Sequence, residues 1–247
     1  MGLWNLFKKE VKSIFPLYGV FALLVTVVHL IILYKRAVLD MDITMVFAIL
    51  LPYLFIAAIA VGTGYYQLFI EWKTNSIYLL LSLPIRGWKV LTAKLAAVLS
   101  MLVLVCLWIG GSFAVILLRV KWDELVGNED WAGQFPTLFS LLINSFWMCL
   151  LLITFLLVVL QFTFLCGQLV AKFKWLVMIS AFLGISWLVL RISPLFSHLL
   201  VWTPEIVIGE KESDMAFLHS GPFIVLGLLI IGLVVLNGFI FEKEVEV

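Results

Sequence analysis

Six long apolar runs, separated by short polar stretches, organise the chain: they lie near 17–34, 43–70, 95–118, 137–170, 175–190 and 222–241. Crossing about 30 Å of hydrocarbon takes about 20 helical residues. The pattern therefore predicts an all-α polytopic membrane protein, with six transmembrane helices in a single domain over 1–247. The second and fourth runs are long enough to project beyond a bilayer. The fifth is short unless it takes residues from the stretch Arg191 to Trp202, and Lys172 and Lys174 divide it from the fourth.

The polar interruptions carry their own patterns. Residues 3–15 read as a short amphipathic helix, with Leu3, Trp4, Phe7, Val11 and Ile14 on one face and Asn5, Lys8, Lys9 and Lys12 on the other. Basic residues opposite a Trp/Phe/Leu face suit the headgroup layer of an anionic leaflet; a calmodulin-type target helix is the competing reading. Pro16 then lets the chain turn into the bilayer. Between the second and third runs, Glu71–Lys94 is a basic element. Glu71, Thr74, Asn75, Tyr78 and Ser82 recur at the helical period, forming one polar stripe on an otherwise apolar helix. Ser82 is placed to cap a second helix with Pro84 in its first turn, so a bend is expected near Leu83 and Pro84. That second helix shows Arg86, Lys89 and Lys94. The long segments 119–136 and 191–221 are loops, and Ser193-Pro194 is expected to start a short helix within the second.

Composition agrees: 64% of the 247 residues are hydrophobic and the mean hydropathy is +1.20, against about 45–50% apolar in soluble domains. The net charge of +1 says little, but its distribution says more. With the N-terminus inside, ten of the 16 basic residues are cytoplasmic: Lys8, Lys9, Lys12, Lys73, Arg86, Lys89, Lys94, Lys172, Lys174 and Lys243. The positive-inside rule then puts both termini and the 71–94 element in the cytoplasm. Trp72, Trp88, Trp122, Trp131, Trp175 and Trp202 fall near run ends, where amphipathic rings prefer to sit. No cleavable signal is expected, because the first apolar run lacks a small-residue cleavage site. Cys106, Cys149 and Cys166 sit in apolar runs without metal or redox spacing, and read as buried thiols.

Candidate chemistry is sparse. The cores of the runs hold no carboxylate, lysine or arginine, the groups an ion-coupled carrier or membrane enzyme keeps there. His29 is the one imidazole in a run and reads as a helix–helix contact. His198 and His219 have no ligand spacing, so no metal site and no catalytic residue is expected. Gln67, Asn144, Gln161 and Gln168 read as interhelical glue or as the lining of a path. Gly62 and Gly64 flank Thr63 without the lysine of a phosphate loop, and read as positions for close helix packing. The basic residues are few and flank spans, which excludes nucleic-acid binding. Three classes fit: the membrane half of a pump powered by another chain, a passive channel, or an assembly scaffold.

The residues Glu71, Thr74, Leu79 to Leu83, Pro84, Arg86 and Lys94 read as E-x-x-T-x(4)-L-L-L-S-L-P-I-R-x(7)-K. This resembles the segment after the second span of ABC-2 family permeases, the membrane subunits of type-2 ABC exporters. The basic entry helix ending in FKKEVKS and the six-span layout are similar too, although Asn75 stands where many relatives have Gly and Arg86 where many have Ser. The resemblance implies a permease that pairs with a second permease, as a homo- or heterodimer, and docks a separate ATPase that uses ATP and Mg. It implies that the helix around Glu71–Leu83 seats in that ATPase, with Glu71 as a charged anchor and Arg86 and Lys89 at the same surface or on anionic headgroups. It implies short re-entrant helices in 191–221. A path lined by Phe, Trp and Leu suggests an amphipathic or hydrophobic cargo such as a peptide, lipid or drug; a scaffold or channel lacking an ATPase is the alternative reading of the chain.

Overall fold

The structure, a computed structural model, describes residues 3–35, 39–74, 86–120, 129–170, 172–200, 202–208 and 216–243. Each of the six apolar runs is a helix: α1 (Leu3–Tyr34), α2 (Met41–Lys73), α3 (Gly87–Val120), α4 (Glu129–Gln168), α5 (Lys174–Leu199) and α6 (Gly221–Lys243). Among the described residues these six are long and apolar enough to cross a membrane, as in a multi-pass membrane protein. Between α5 and α6, β1 (Glu205–Ile208) and β2 (Ala216–His219) pair antiparallel, with Glu205 opposite His219.

Three boundaries differ from the sequence reading. α1 is one continuous helix of 32 residues with Pro16 inside it, so residues 3–15 extend the first span instead of forming a separate helix. Pro16 costs the Lys12 carbonyl its helical donor, a loss that apolar spans tolerate when other groups compensate. α1 buries Leu6, Glu10, Ile14, Tyr18, Val25, His29 and Ile32. The intervals of three, four or seven residues put these on a single stripe. Among the described residues of the 191–221 stretch, α5 runs through Pro194 to Leu199, and the paired strands β1 and β2 stand where short helices were expected. The strand pair is an addition to the six-helix architecture that the sequence reading did not include. The stripe residues Asn75, Tyr78 and Ser82, with Pro84, lie outside the described residues.

Two compact units partition the chain. The first holds residues 1–63 and 96–131. Its polar contacts are each satisfied locally: Tyr18 Oη is 2.9 Å from Thr63 Oγ1, and Trp108 Nε1 donates to Thr26 Oγ1 at 2.9 Å. Thr63 Oγ1 already donates to its own helix at Ile59 and Ala60, so Tyr18 supplies the proton. Ile32, Ala48 and Ile116 form an apolar cluster with Leu33, Phe113 and Val120.

His29 has a specific task in this unit. The Ala48 carbonyl would bond the backbone N–H four residues on, but that residue is Pro52, which has none. His29 Nε2 fills the place, 3.1 Å from the Ala48 oxygen, while Nδ1 is 2.8 Å from Ser112 Oγ. Nε2 must carry the proton, since a carbonyl only accepts. The reading of His29 as a helix–helix contact thus has a physical cause, a proline-orphaned carbonyl in an apolar setting.

The second unit holds residues 64–95 and 132–247. Val158, Val159 and Leu233 are its buried cluster, packed by Leu95, Phe155 and Phe162. Glycines set several approaches: a Cβ on Gly64 would strike Leu157, and one on Gly238 would lie 2.6 Å from Trp88 Cβ and 3.3 Å from its Cα. Gly62 has open space around it, so of the two expected packing glycines only Gly64 does that work. Phe173, in the turn joining α4 to α5, adopts a φ of 60°, an uncommon conformation for a bulky residue, and its carbonyl accepts from Leu176 and Val177.

Candidate functional site

The C-terminal end of α2 is an apolar helix finishing in Phe69-Ile70-Glu71-Trp72-Lys73. Glu71 turns into the chain. Its Oε1 accepts from Lys94 Nζ of α3 at 2.7 Å, with Glu71 7% exposed and Lys94 2%. The residues one turn either side of Lys94 on its own helix, Val90, Leu91, Ala97 and Val98, are all buried and apolar. A lysine in that company is drawn inside with its helix and must find an anion there. Breaking such a pair from one side typically costs about 3–5 kcal/mol, because the other charge is left buried.

Aromatic rings pack around Trp72, the residue next to Glu71. Trp72 stands edge-on to Phe164 of α4, with centroids 5.3 Å apart, and to Phe241 of α6, at 5.9 Å. Tyr65 meets Phe164 at 5.7 Å. Gly87, the first residue of α3, has no room for a Cβ beside Phe241. Gln161 of α4 donates to the Leu91 carbonyl at 3.4 Å, and Asn237 of α6 donates to the Val158 carbonyl at 3.1 Å. Four helix ends (α2, α3, α4 and α6) are thereby tied together on both sides of the segment joining α2 to α3. Trp72, expected in the aromatic belt, is part of this packing.

The sequence-predicted residues separate into two groups. Glu71 is inside, where its partner is a lysine of the same chain; the resemblance put that partner on an ATPase. Thr74 is exposed and bonds its hydroxyl to the Ile70 carbonyl at 2.7 Å. Arg86 is exposed, and Lys89 is half-buried with its Nζ 5.7 Å from the Trp88 ring centroid. On α1, Trp4 stacks on Phe7 at 5.4 Å, Lys8 Nζ lies 5.3 Å from the Trp4 ring, and Lys8, Lys9 and Lys12 are exposed.

Two buried charges escaped the sequence reading. Lys94 was grouped with the surface basics, and Glu10 was not singled out, yet Glu10 is buried on the Leu6–Ile14 stripe. Both could have been found from their i±4 neighbours: Leu6 and Ile14 around Glu10, Val90 and Val98 around Lys94.

Elsewhere the chemistry is thin. A groove of about 250 Å³ between α1 and α2 is lined by Phe21, Leu24, Val28, Phe47 and Phe55 among others, with Thr44 its one polar side chain. Cys106, Cys149 and Cys166 are free thiols, and Cys149 is exposed where a buried one was expected. Among the described residues no cluster of His, Cys, Asp or Glu is placed to hold a metal. Comparison of the chain with family models, with characterised proteins and with solved structures found no match.

Proposed function

We propose that this chain is the membrane-spanning subunit of an ATP-driven exporter of the ABC-2 type. It is not itself an enzyme: a separate ATPase, using ATP and Mg, docks on the cytoplasmic 71–94 element and drives outward movement of an amphipathic or hydrophobic cargo. The observation that carries this reading is the buried Glu71–Lys94 pair. It braces both helices that flank the segment bearing the L-L-L-S-L-P-I-R motif. A push delivered to that segment reaches α2 and α3 together, and through Trp72, Phe164 and Phe241 it reaches α4 and α6. A loosely tethered loop would absorb the same push.

Roles divide accordingly. Arg86 and Lys89, with Thr74, Asn75, Tyr78, Ser82 and Pro84, form the docking surface, while Glu71 acts behind it as the brace. Trp4, Phe7, Lys8, Lys9 and Lys12 meet the anionic inner leaflet of the cell membrane, and both termini are cytoplasmic. α5 packs against α6 but buries only 6% of its span window, which leaves the rest of its surface free to face a second permease of the same or a related sequence. Only a partner with different affinity for two permease states can shift their balance, so docking strength must depend on the state of the brace. The test is charge reversal of Arg86 and Lys89 together. It is expected to abolish co-purification of an ATPase, and the ATPase activity that appears only in the two-component complex, while leaving the thermal midpoint of the permease unchanged. Retention of both by the reversed protein contradicts the reading.

A further inference from the structure

Three polar residues stand one turn apart on the buried face of α2: Thr63, Gln67 and Glu71. The first receives Tyr18 and the last receives Lys94. Gln67 lies between them, 4% exposed, and neither its Nε2 nor its Oε1 has a hydrogen-bond partner among the described residues. The turn of α3 that follows Lys94 is Leu95-Ala96-Ala97-Val98, with no polar side chain to offer. Gln161 on α4 has its Nε2 committed to Leu91. Buried amides without partners are rare and each calls for a cause.

We propose that Gln67 is a second seat for the Lys94 ammonium. Lys94 is the one buried lysine or arginine among the described residues. Its ammonium carries three donors on a flexible four-carbon stem, and the Gln67 amide oxygen is an acceptor one turn along the same face from Glu71. A slide of α3 against α2 by one turn, about 5.4 Å, moves Nζ from the Glu71 carboxylate to the Gln67 amide. Packed helices move between discrete arrangements of this kind, one turn apart. The carboxylate is the stronger acceptor for a cation, so the Glu71 seat is the resting one. The Gln67 seat keeps the ammonium bonded in the displaced arrangement, where an apolar side chain at position 67 would offer it no acceptor. Gln67 is then a positioning residue for the transport movement. The inference deepens the exporter reading, but its test needs no ATPase, so either can fail without the other.

The experiment uses the full chain in lipid nanodiscs, with its three cysteines replaced by alanine and spin labels at the exposed Phe55→Cys, far along the axis of α2, and Thr92→Cys on α3. Three variants are compared: Gln67→Leu, Glu71→Gln, and the exchange Gln67→Glu with Glu71→Gln. The exchange moves the carboxylate to the second seat. It is expected to recover most of the thermal midpoint lost by Glu71→Gln alone, and to shift the dominant label distance by about 5 Å. Gln67→Leu is expected to fold with a midpoint at or above that of the parent, and to reduce any population at the shifted distance at least about fivefold. An exchange variant less stable than Glu71→Gln, as a Gln67 that merely holds a buried water would give, overturns the proposal. So does a recovered midpoint with an unchanged distance.

Discussion

Lys94 on α3 and Glu71 on α2 keep each other's charge out of solvent, Nζ donating to Oε1 at 2.7 Å two residues from the end of α2. An isolated ion is far costlier to bury than a pair. Every expectation about this end of the molecule follows from that asymmetry.

Lys94→Met and Glu71→Gln are each expected to destabilise the protein by about 3–5 kcal/mol, since each leaves one buried group without its partner. The double variant Glu71→Leu with Lys94→Met removes both charges and is expected to recover most of that loss. Thermal unfolding of the purified protein in detergent, followed by tryptophan fluorescence, reads all three. If the double variant is as unstable as the worse single one, the pair does not act as a unit.

His29 and Pro52 are coupled through one carbonyl. His29→Leu removes the donor to Ala48 and is expected to cost about 1–3 kcal/mol. Pro52→Ala restores a backbone N–H to that carbonyl. In the Pro52→Ala background the cost of His29→Leu is therefore expected to fall, leaving the smaller loss of the Ser112 contact. Equal costs in the two backgrounds would disprove the coupling, and a double-mutant cycle on unfolding midpoints measures it.

Two glycines make opposite predictions. Gly238→Ala must push α6 away from Trp88, whose Cβ and Cα both lie within reach of the new methyl, and is expected to cost about 1–3 kcal/mol. Gly62→Ala meets open space in the middle of α2 and is expected to be neutral, or to stabilise by up to about 1 kcal/mol through helix propensity. Unfolding midpoints of the two variants, side by side, check the claim.

The six helices were legible because apolar length is a strong signal, and it does not depend on which neighbour each helix meets. The ends were less so. Pro16 was read as a turn, but a proline inside a long apolar helix is tolerated where its orphaned carbonyl finds other donors, as Ala48 finds His29. The strand pair Glu205–Ile208 and Ala216–His219 was hidden because two four-residue strands carry little pattern, although Ile206, Val207 and Ile208 are the β-branched residues strands favour. The inward pairing of Glu71 was missed for a different reason. Its polar stripe was read as one surface, while burial of a charge depends on what lies opposite, and that information sits in Lys94, 23 residues away.

The central claim is that a soluble motor grips the segment between α2 and α3. A photo-crosslinking amino acid at Arg86, exposed at the start of α3, tests it in intact cells of the source organism, with the same group at Leu190 on the exposed face of α5 as the control. The account predicts a covalent adduct at Arg86 with a Walker-motif ATPase, absent at Leu190. An Arg86 position that is reached only by membrane-impermeant reagents from outside the cell, or that yields no ATPase adduct, would contradict it.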